Sequence, residues 1–153
     1  MRQPLRAAAL AAGLALCGLP LNARAFGEPG RWSGGWGQGT SEYTSVATNG
    51  DRLYIACNPD QPVTMTLTLA GQDYSSYARQ GFDLVIDGQE IQTPHATASR
   101  VGANNFLHAW EALRKARKLV ARTNGRKTAL PVRDAAKVLP AWGTPGFDCV
   151  TGF

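Results

Sequence analysis

Leu53-Tyr54-Ile55-Ala56-Cys57 and Val63-Thr64-Met65-Thr66-Leu67-Thr68-Leu69 decide the fold class of this chain. Both stretches alternate with period two, the pattern of a strand that rests one face on a core. Leu53, Ile55 and Cys57 fall on one side, as do Val63, Met65, Leu67 and Leu69, and the three threonines line the other side. Pro59 and Pro62 bracket the loop between them. Upstream, residues 43–48 and 52–57 flank Asn49-Gly50-Asp51, a hairpin signal because Asn and Gly accept positive φ. Downstream, residues 82–86 alternate again with Phe82, Leu84 and Ile86 inward, and Asp87-Gly88 turns the chain into residues 89–93.

Helical spacing follows. Phe106, Ala109, Trp110, Leu113, Ala116 and Val120 recur along one helical face, with Asn104 or Asn105 as the N-cap. Arg114, Lys115, Lys118 and Arg122 occupy the opposite, solvated face, and the helix is expected to end near Lys118. Residues 119–122 and 127–132 can then pair across Thr123-Asn124-Gly125. Asp134 is placed to cap a short helix over 135–139 that Pro140 stops. The expectation is one α+β domain over residues 41–153: an antiparallel sheet of about five to seven strands, one main amphipathic helix and a short C-terminal helix.

The N-terminus reads as a cleaved export signal. Arg2 and Arg6 precede an apolar run from Ala7 to Leu19, Pro20 breaks it, and Ala23-Arg24-Ala25 gives the small-x-small pattern of a cleavage site. The run is too short for a membrane span. Leu14-Ala15-Leu16-Cys17 falls short of a lipidation box, because Leu16 is bulky where a small residue is wanted. Cleavage after Ala25 predicts a periplasmic or secreted protein that begins at Phe26 and keeps two cysteines, Cys57 and Cys149, to form one disulfide. It also removes Arg2, Arg6 and Arg24, so the formal charge of +5 falls by three to a mild +2. The charge is unevenly spread. Nine basic residues fall between Arg114 and Lys137 against Asp134 alone, and the preceding part from Phe26 to Glu111 is net acidic. Such a two-signed molecule suits an acidic partner surface or an anionic envelope polymer.

Residues 26–40, FGEPGRWSGGWGQGT, are too rich in glycine to favour a regular element and read as an N-terminal arm. Trp32 and Trp36 in it either fold back onto the domain, as their large apolar area favours, or offer a mobile aromatic contact to a partner.

Catalytic patterns are sparse. His95 and His108 are the two imidazoles of the chain. A Ser99–His95–Asp set can be drawn, but no Gly-x-Ser-x-Gly elbow accompanies it. Cys57 and Cys149 lack Cys-x-x-Cys spacing, and the two histidines do not make a zinc signature. Asp83 and Asp87 lack a partner for glycoside hydrolysis and serve as turn and surface residues. There is no phosphate loop or dinucleotide fingerprint, and the basic segment lacks the interleaved aromatics that nucleic-acid binding uses.

The order of LYIAC, a threonine-rich strand, FDLVIDG, a Thr-Ala-Ser segment, FLHAWEALRKARKLVART and a terminal cysteine resembles small periplasmic proteins of the type VI secretion-associated kind. More distantly it resembles the invasion-associated locus B type. The resemblance spans Leu53 to Cys149 and rests on order and spacing. Those families tend to carry an Arg-Cys pair and a tryptophan before the Thr/Ser segment, where this chain has Ala56-Cys57 and His95. The resemblance implies a β-rich domain with a late helix and a closing cysteine pair, a non-enzymatic envelope protein acting through partners; the residues themselves lead to no expected cofactor or metal. No catalytic residue carries over.

The expected function is therefore an exported, non-enzymatic binding or accessory protein that contacts another envelope protein, such as a secretion or transfer component. Its candidate contacts are Trp32 and Trp36, and the basic residues Arg114, Lys115, Lys118 and Arg122. The alternative is a periplasmic inhibitor or immunity protein against a toxin or lytic enzyme, presenting an acidic loop at Gln72-Asp73-Tyr74 or Asp87-Gly88. A third reading is a small hydrolase that uses His95 or His108.

Overall fold

The computed structural model describes residues 26–153, so the segment read as a signal peptide lies outside the described residues. The two alternating stretches are strands with the predicted inward faces. In β3 (Arg52–Asn58) Leu53, Ile55 and Cys57 are buried, and in β4 (Gln61–Leu69) Val63, Met65, Leu67 and Leu69 are buried. The two pair antiparallel, with Ile55 opposite Met65. They form the middle of a first sheet with β1 (Arg31–Gly37), β2 (Thr40–Val46) and β5 (Gln72–Ser75), in the order β1-β2-β3-β4-β5. A second antiparallel sheet contains β6 (Asp83–Ile86), β7 (Gln89–Ile91), β8 (Leu119–Thr123) and β9 (Arg126–Leu130), in the order β7-β6-β8-β9. The α+β class holds. The described residues form nine strands divided between two sheets, rather than one sheet of five to seven.

Local chemistry sets most of the turns. Asn124 and Gly125 both have positive φ, 47° and 72°, which gives the two-residue hairpin whose twist suits β8 and β9. Ala70 and Gly71 repeat that geometry at 50° and 78° and join β4 to β5. That hairpin has no Asn or Asp to announce it.

The Gly-rich segment is where the structure departs furthest from expectation. It is not an irregular arm: β1 pairs residue by residue with β2, from Arg31 opposite Val46 to Gly37 opposite Thr40. The glycines make room for neighbours on both faces. A Cβ on Gly35 would sit 2.8 Å from the Phe26 ring, and one on Gly34 would sit 3.1 Å from Val138 Cγ1. The ladder bonds and the burial of Trp32 offset the entropy that glycine loses on ordering.

The main helix α1 (Arg100–Lys115) begins earlier than the apolar spacing suggested and ends before Lys118. Its N-cap is Ser99, not Asn104 or Asn105, and the Ser99 hydroxyl accepts from Gly102 N at 3.0 Å. Phe106, Ala109, Trp110 and Leu113 are buried as expected, but Ala116 lies past the last turn and Val120 belongs to β8. The short helix α2 (Ala135–Val138) follows Asp134, whose side chain does not cap it. Asp134 sits at φ 65°, and its carboxylate instead accepts from Arg31 at 2.6 Å and pairs with Lys137 at 3.2 Å.

The inward faces of both sheets and the apolar face of α1 merge into one core cluster. Trp110 lies in it with Tyr43 of β2 and Phe106, at ring-centroid distances of 5.2 and 5.8 Å, and the half-buried Phe147 packs against it at 5.3 Å. The C-terminal segment is laced across this core. Cys57 and Cys149 are disulfide-bonded, Val63 N donates to Val150 O at 2.7 Å, and Gly152 N donates to Thr97 O at 3.1 Å.

The start of α1 packs so closely that a usually favourable substitution reverses sign. Gly→Ala inside a helix normally stabilises by about 1 kcal/mol. At Gly102, however, the new Cβ would lie 2.0 Å from the backbone oxygen of Ala96. Gly102→Ala is expected to destabilise by about 1 to 3 kcal/mol through overpacking. Urea unfolding of the two proteins measures this, and a raised midpoint would refute it.

Candidate functional site

The predicted basic surface is divided by the fold, because α1 stops at Lys115 and the chain re-enters a sheet at Leu119. Arg114 is turned to structural work. Its Nε donates to Leu139 O at 3.0 Å and its Nη1 to Glu111 Oε2 at 3.1 Å, which ties α1 to the end of α2. Trp142 N, donating at 2.9 Å, and the Arg114 guanidinium hold the Glu111 carboxyl below its ordinary range. Lys115 is exposed at the end of α1. Lys118 and Arg122 instead stand on the outward face of the second sheet. The tryptophans separate as well: Trp32 is buried, and Trp36 is 73% exposed on β1, an edge strand.

The outward face of the second sheet is ordered by its register. Glu90, Val85, Val120 and Ala129 form one rung across the four strands, since Val85 pairs with both Glu90 and Val120, and Val120 pairs with Ala129. The next rung is Asp83, Arg122 and Lys127. Lys118 stands two residues from Val120 on the other side. An open concavity of about 520 Å³ lies on this face, with Val85, Val120 and Ala129 as its floor and Lys118, Arg122 and Lys127 around it. A neighbouring hollow of about 370 Å³ extends the positive charge to Arg126 at the β8–β9 turn.

Arg122 reaches across to Glu90 at 3.0 Å, a half-exposed pair of modest strength. Lys118 and Lys127 have no carboxylate within salt-bridge distance among the described residues. Asp87 is engaged by backbone: its carboxylate accepts from Lys118 N at 2.8 Å and Arg117 N at 3.0 Å. It fixes the entry into β8 and leaves the Lys118 ammonium free. Sequence reading missed Lys127 because it took the basic surface for the side of one helix. The pairing of 119–122 with 127–132, already legible, contained the signal.

The two histidines are not brought together as a catalytic set. His108 is exposed on α1. His95 is 5% exposed and stacks on Phe82 at 4.7 Å, with Gly81 so close that a Cβ there would lie 2.2 Å from Nε2. Ser99 is occupied as the helix cap and donates to Ala96 O at 3.0 Å. No cluster of three or more His, Cys, Asp or Glu able to hold a metal occurs among the described residues. No helix among them is long and apolar enough to cross a membrane.

Burial pushes the His95 imidazole below its ordinary value of 6.5, so the fold favours the neutral ring. Among the described residues its buried Nδ1 has no hydrogen-bond partner. The sign follows: stability is full above the unfolded-state value and is lost as pH falls below about 6.5. His95→Gln removes that titration. The wild-type Tm is expected to fall more than that of His95→Gln between about pH 7.5 and pH 5, and parallel falls would remove the assignment.

A family model described as YfjT matches residues 30–139. The chain belongs to the YfjT family. The matched range runs from just before β1 to just after α2, so it takes in both sheets and both helices, with Cys149 beyond it. A YfjT-family relative from Escherichia coli (strain K12), named uncharacterized protein YfjT, is 34% identical over 123 residues, covering 73% of this chain and 79% of its own length. The family that matches is YfjT, so the likeness to type VI secretion-associated or locus B proteins is not what places the chain. No solved structure matches.

Proposed function

We propose that this YfjT-family protein is exported and works as a binding or accessory protein that contacts another envelope protein through the outward face of its second sheet. The observation that carries this reading is the Val85–Val120–Ala129 floor surrounded by cations, two of which lack a carboxylate partner among the described residues. Exposed apolar surface rimmed by charge is the usual composition of a contact site. Export is supported by the pattern of residues 1–25, and a buried disulfide suits an oxidising compartment. The likeness in feature order to type VI secretion-associated proteins points to a secretion or transfer component as the partner. The acids that an inhibitor would present are used internally: Asp73 accepts from Thr68 Oγ1, and Asp87 holds the start of β8. That favours the accessory role over the inhibitor.

The test uses the full chain in its own cells. A photo-crosslinking residue at Ala129 is expected to give one discrete protein adduct, lost in Lys118→Glu/Lys127→Glu. The same residue at Thr66, on the outward face of the first sheet, is expected to give none. Mature protein from the envelope fraction should begin at Phe26. Equal crosslinking from both faces, or retention of residues 1–25 in the cytoplasm, would overturn the reading.

A further inference from the structure

The geometry points to an occupant for this face: we propose that Val85, Val120 and Ala129, flanked by Lys118 and by Arg122 and Lys127, dock an extended acidic polypeptide segment of the pattern acid-x-apolar-x-acid. The inference rests on the binding role proposed above and adds the chemistry of the partner. Val120 and Arg122 are alternate residues of β8, and Lys118, directly before the strand and bonded through its O to Asp87 N at 3.0 Å, continues the alternation, so that the first and last are charged and the middle one apolar. Alternate residues of a strand repeat every ~6.7 Å, so the two charges lie ~13 Å apart with the apolar position midway. An extended peptide laid along β8 presents its own alternate side chains at that same repeat. Carboxylates at its first and fifth positions then meet Lys118 and Arg122, and an aliphatic third residue meets Val120.

Charge places the track across the sheet. Glu90 stands on β7 and Lys127 on β9, so the face runs from acid to base and repels an acidic segment from the β7 side. The segment therefore lies over β8 and β9, where displacement of Glu90 from Arg122 costs little because that pair is half exposed. The shape argues against a membrane. The floor of small aliphatic side chains lies within the concavity rather than on a protruding tip, and no tryptophan or phenylalanine lines it. An interfacial anchor projects large apolar groups into the headgroup layer.

Fluorescence anisotropy on the mature, oxidised protein tests this with three probes: a labelled peptide repeating Glu-Thr-Val-Thr-Glu, a peptide of identical composition with its glutamates clustered at one end, and phosphatidylglycerol vesicles. The alternating peptide is expected to bind about tenfold or more tighter than the clustered one, and to lose that advantage in Lys118→Glu/Lys127→Glu. Val120→Thr, which keeps the strand and the charges, is expected to weaken the alternating peptide severalfold and leave the clustered one unchanged. Equal binding of the two peptides shows charge attraction without register and overturns the inference. So does binding of vesicles alone, or of none of the three. If the Ala129 crosslink to an envelope protein persists in any of those cases, the binding role stands and only the acidic, extended partner falls. If the crosslink is absent, the binding role falls as well.

Discussion

Replacing Trp110 with alanine is expected to lower the free energy of unfolding by about 3 to 5 kcal/mol, the range for truncating a buried aromatic. Trp110 is fully buried and packs against Tyr43, Phe106 and Phe147, so its removal opens space bounded by the first sheet, the helix and the C-terminal segment at once. Its Nε1 also donates to Pro140 O at 2.8 Å. Trp110→Phe separates the two contributions, since it keeps much of the apolar area and removes the donor. The expected loss for Phe is smaller by about half, with a hydrogen-bond share of about 1 kcal/mol. Urea unfolding followed by far-UV circular dichroism avoids relying on tryptophan fluorescence. A loss below about 1 kcal/mol for the alanine variant would show that the site collapses around the gap and would contradict the packing described. Against a domain stability of about 5 to 15 kcal/mol, the expected loss brings the protein close to its unfolding threshold at physiological temperature.

The second large effect concerns the disulfide. Cys57 and Cys149 are 92 residues apart, and both are buried. A bridge across so long a loop restricts the unfolded chain by about 4 to 5 kcal/mol in the chain-entropy account. Cys57→Ala/Cys149→Ala is expected to lower the urea midpoint accordingly. The double substitution is preferable to either single one, which leaves a reactive thiol. An unchanged midpoint would mean that the backbone bonds of the C-terminal segment to Val63 and Thr97 suffice to hold it. A drop that reduction of the wild-type protein reproduces would assign the effect to the covalent link.

Elements that bury alternate side chains were readable from the chain, and those that do not were hidden. β3, β4 and β6 alternate cleanly because each has one face on the core. β1 does not alternate: Trp32 is its one buried residue, three of its seven residues are glycine with no side chain to register a period, and its order comes from pairing with β2. β5 was invisible for another reason: Tyr74 is its one buried residue among Gln72, Asp73 and Ser75. The division into two sheets left no local trace. Turn chemistry identifies which neighbours form hairpins, but the pairing of β6 with β8 spans the whole of α1.

The helix shows how a period can mislead. Leu113, Ala116 and Val120 sit at intervals of three and four, as on a helix, yet the chain is extended by Val120. The apparent stripe is an accident of a strand that begins directly after the helix. That one misreading moved the candidate site, since it put Lys118 and Arg122 beside Arg114 and Lys115. In the structure Lys118 and Arg122 face outward from a sheet with Lys127, while Arg114 is hydrogen-bonded to the chain around α2. The cations were legible. Their common surface was not, because it depends on the β8–β9 register.

The 92-residue interval between the bonded cysteines also sets an order of events at synthesis. Cys57 leaves the ribosome first and has no partner until Cys149 follows, an interval of roughly 5 to 20 s at usual elongation rates. Over that time the nascent chain can form the β3–β4 hairpin, but the bond that locks it stays unmade. A chain in this condition remains threadable, with its first cysteine exposed to any oxidant or stray thiol it meets. The fold closes only after the far cysteine arrives, so the last few residues of the chain decide when the first strands become covalently fixed.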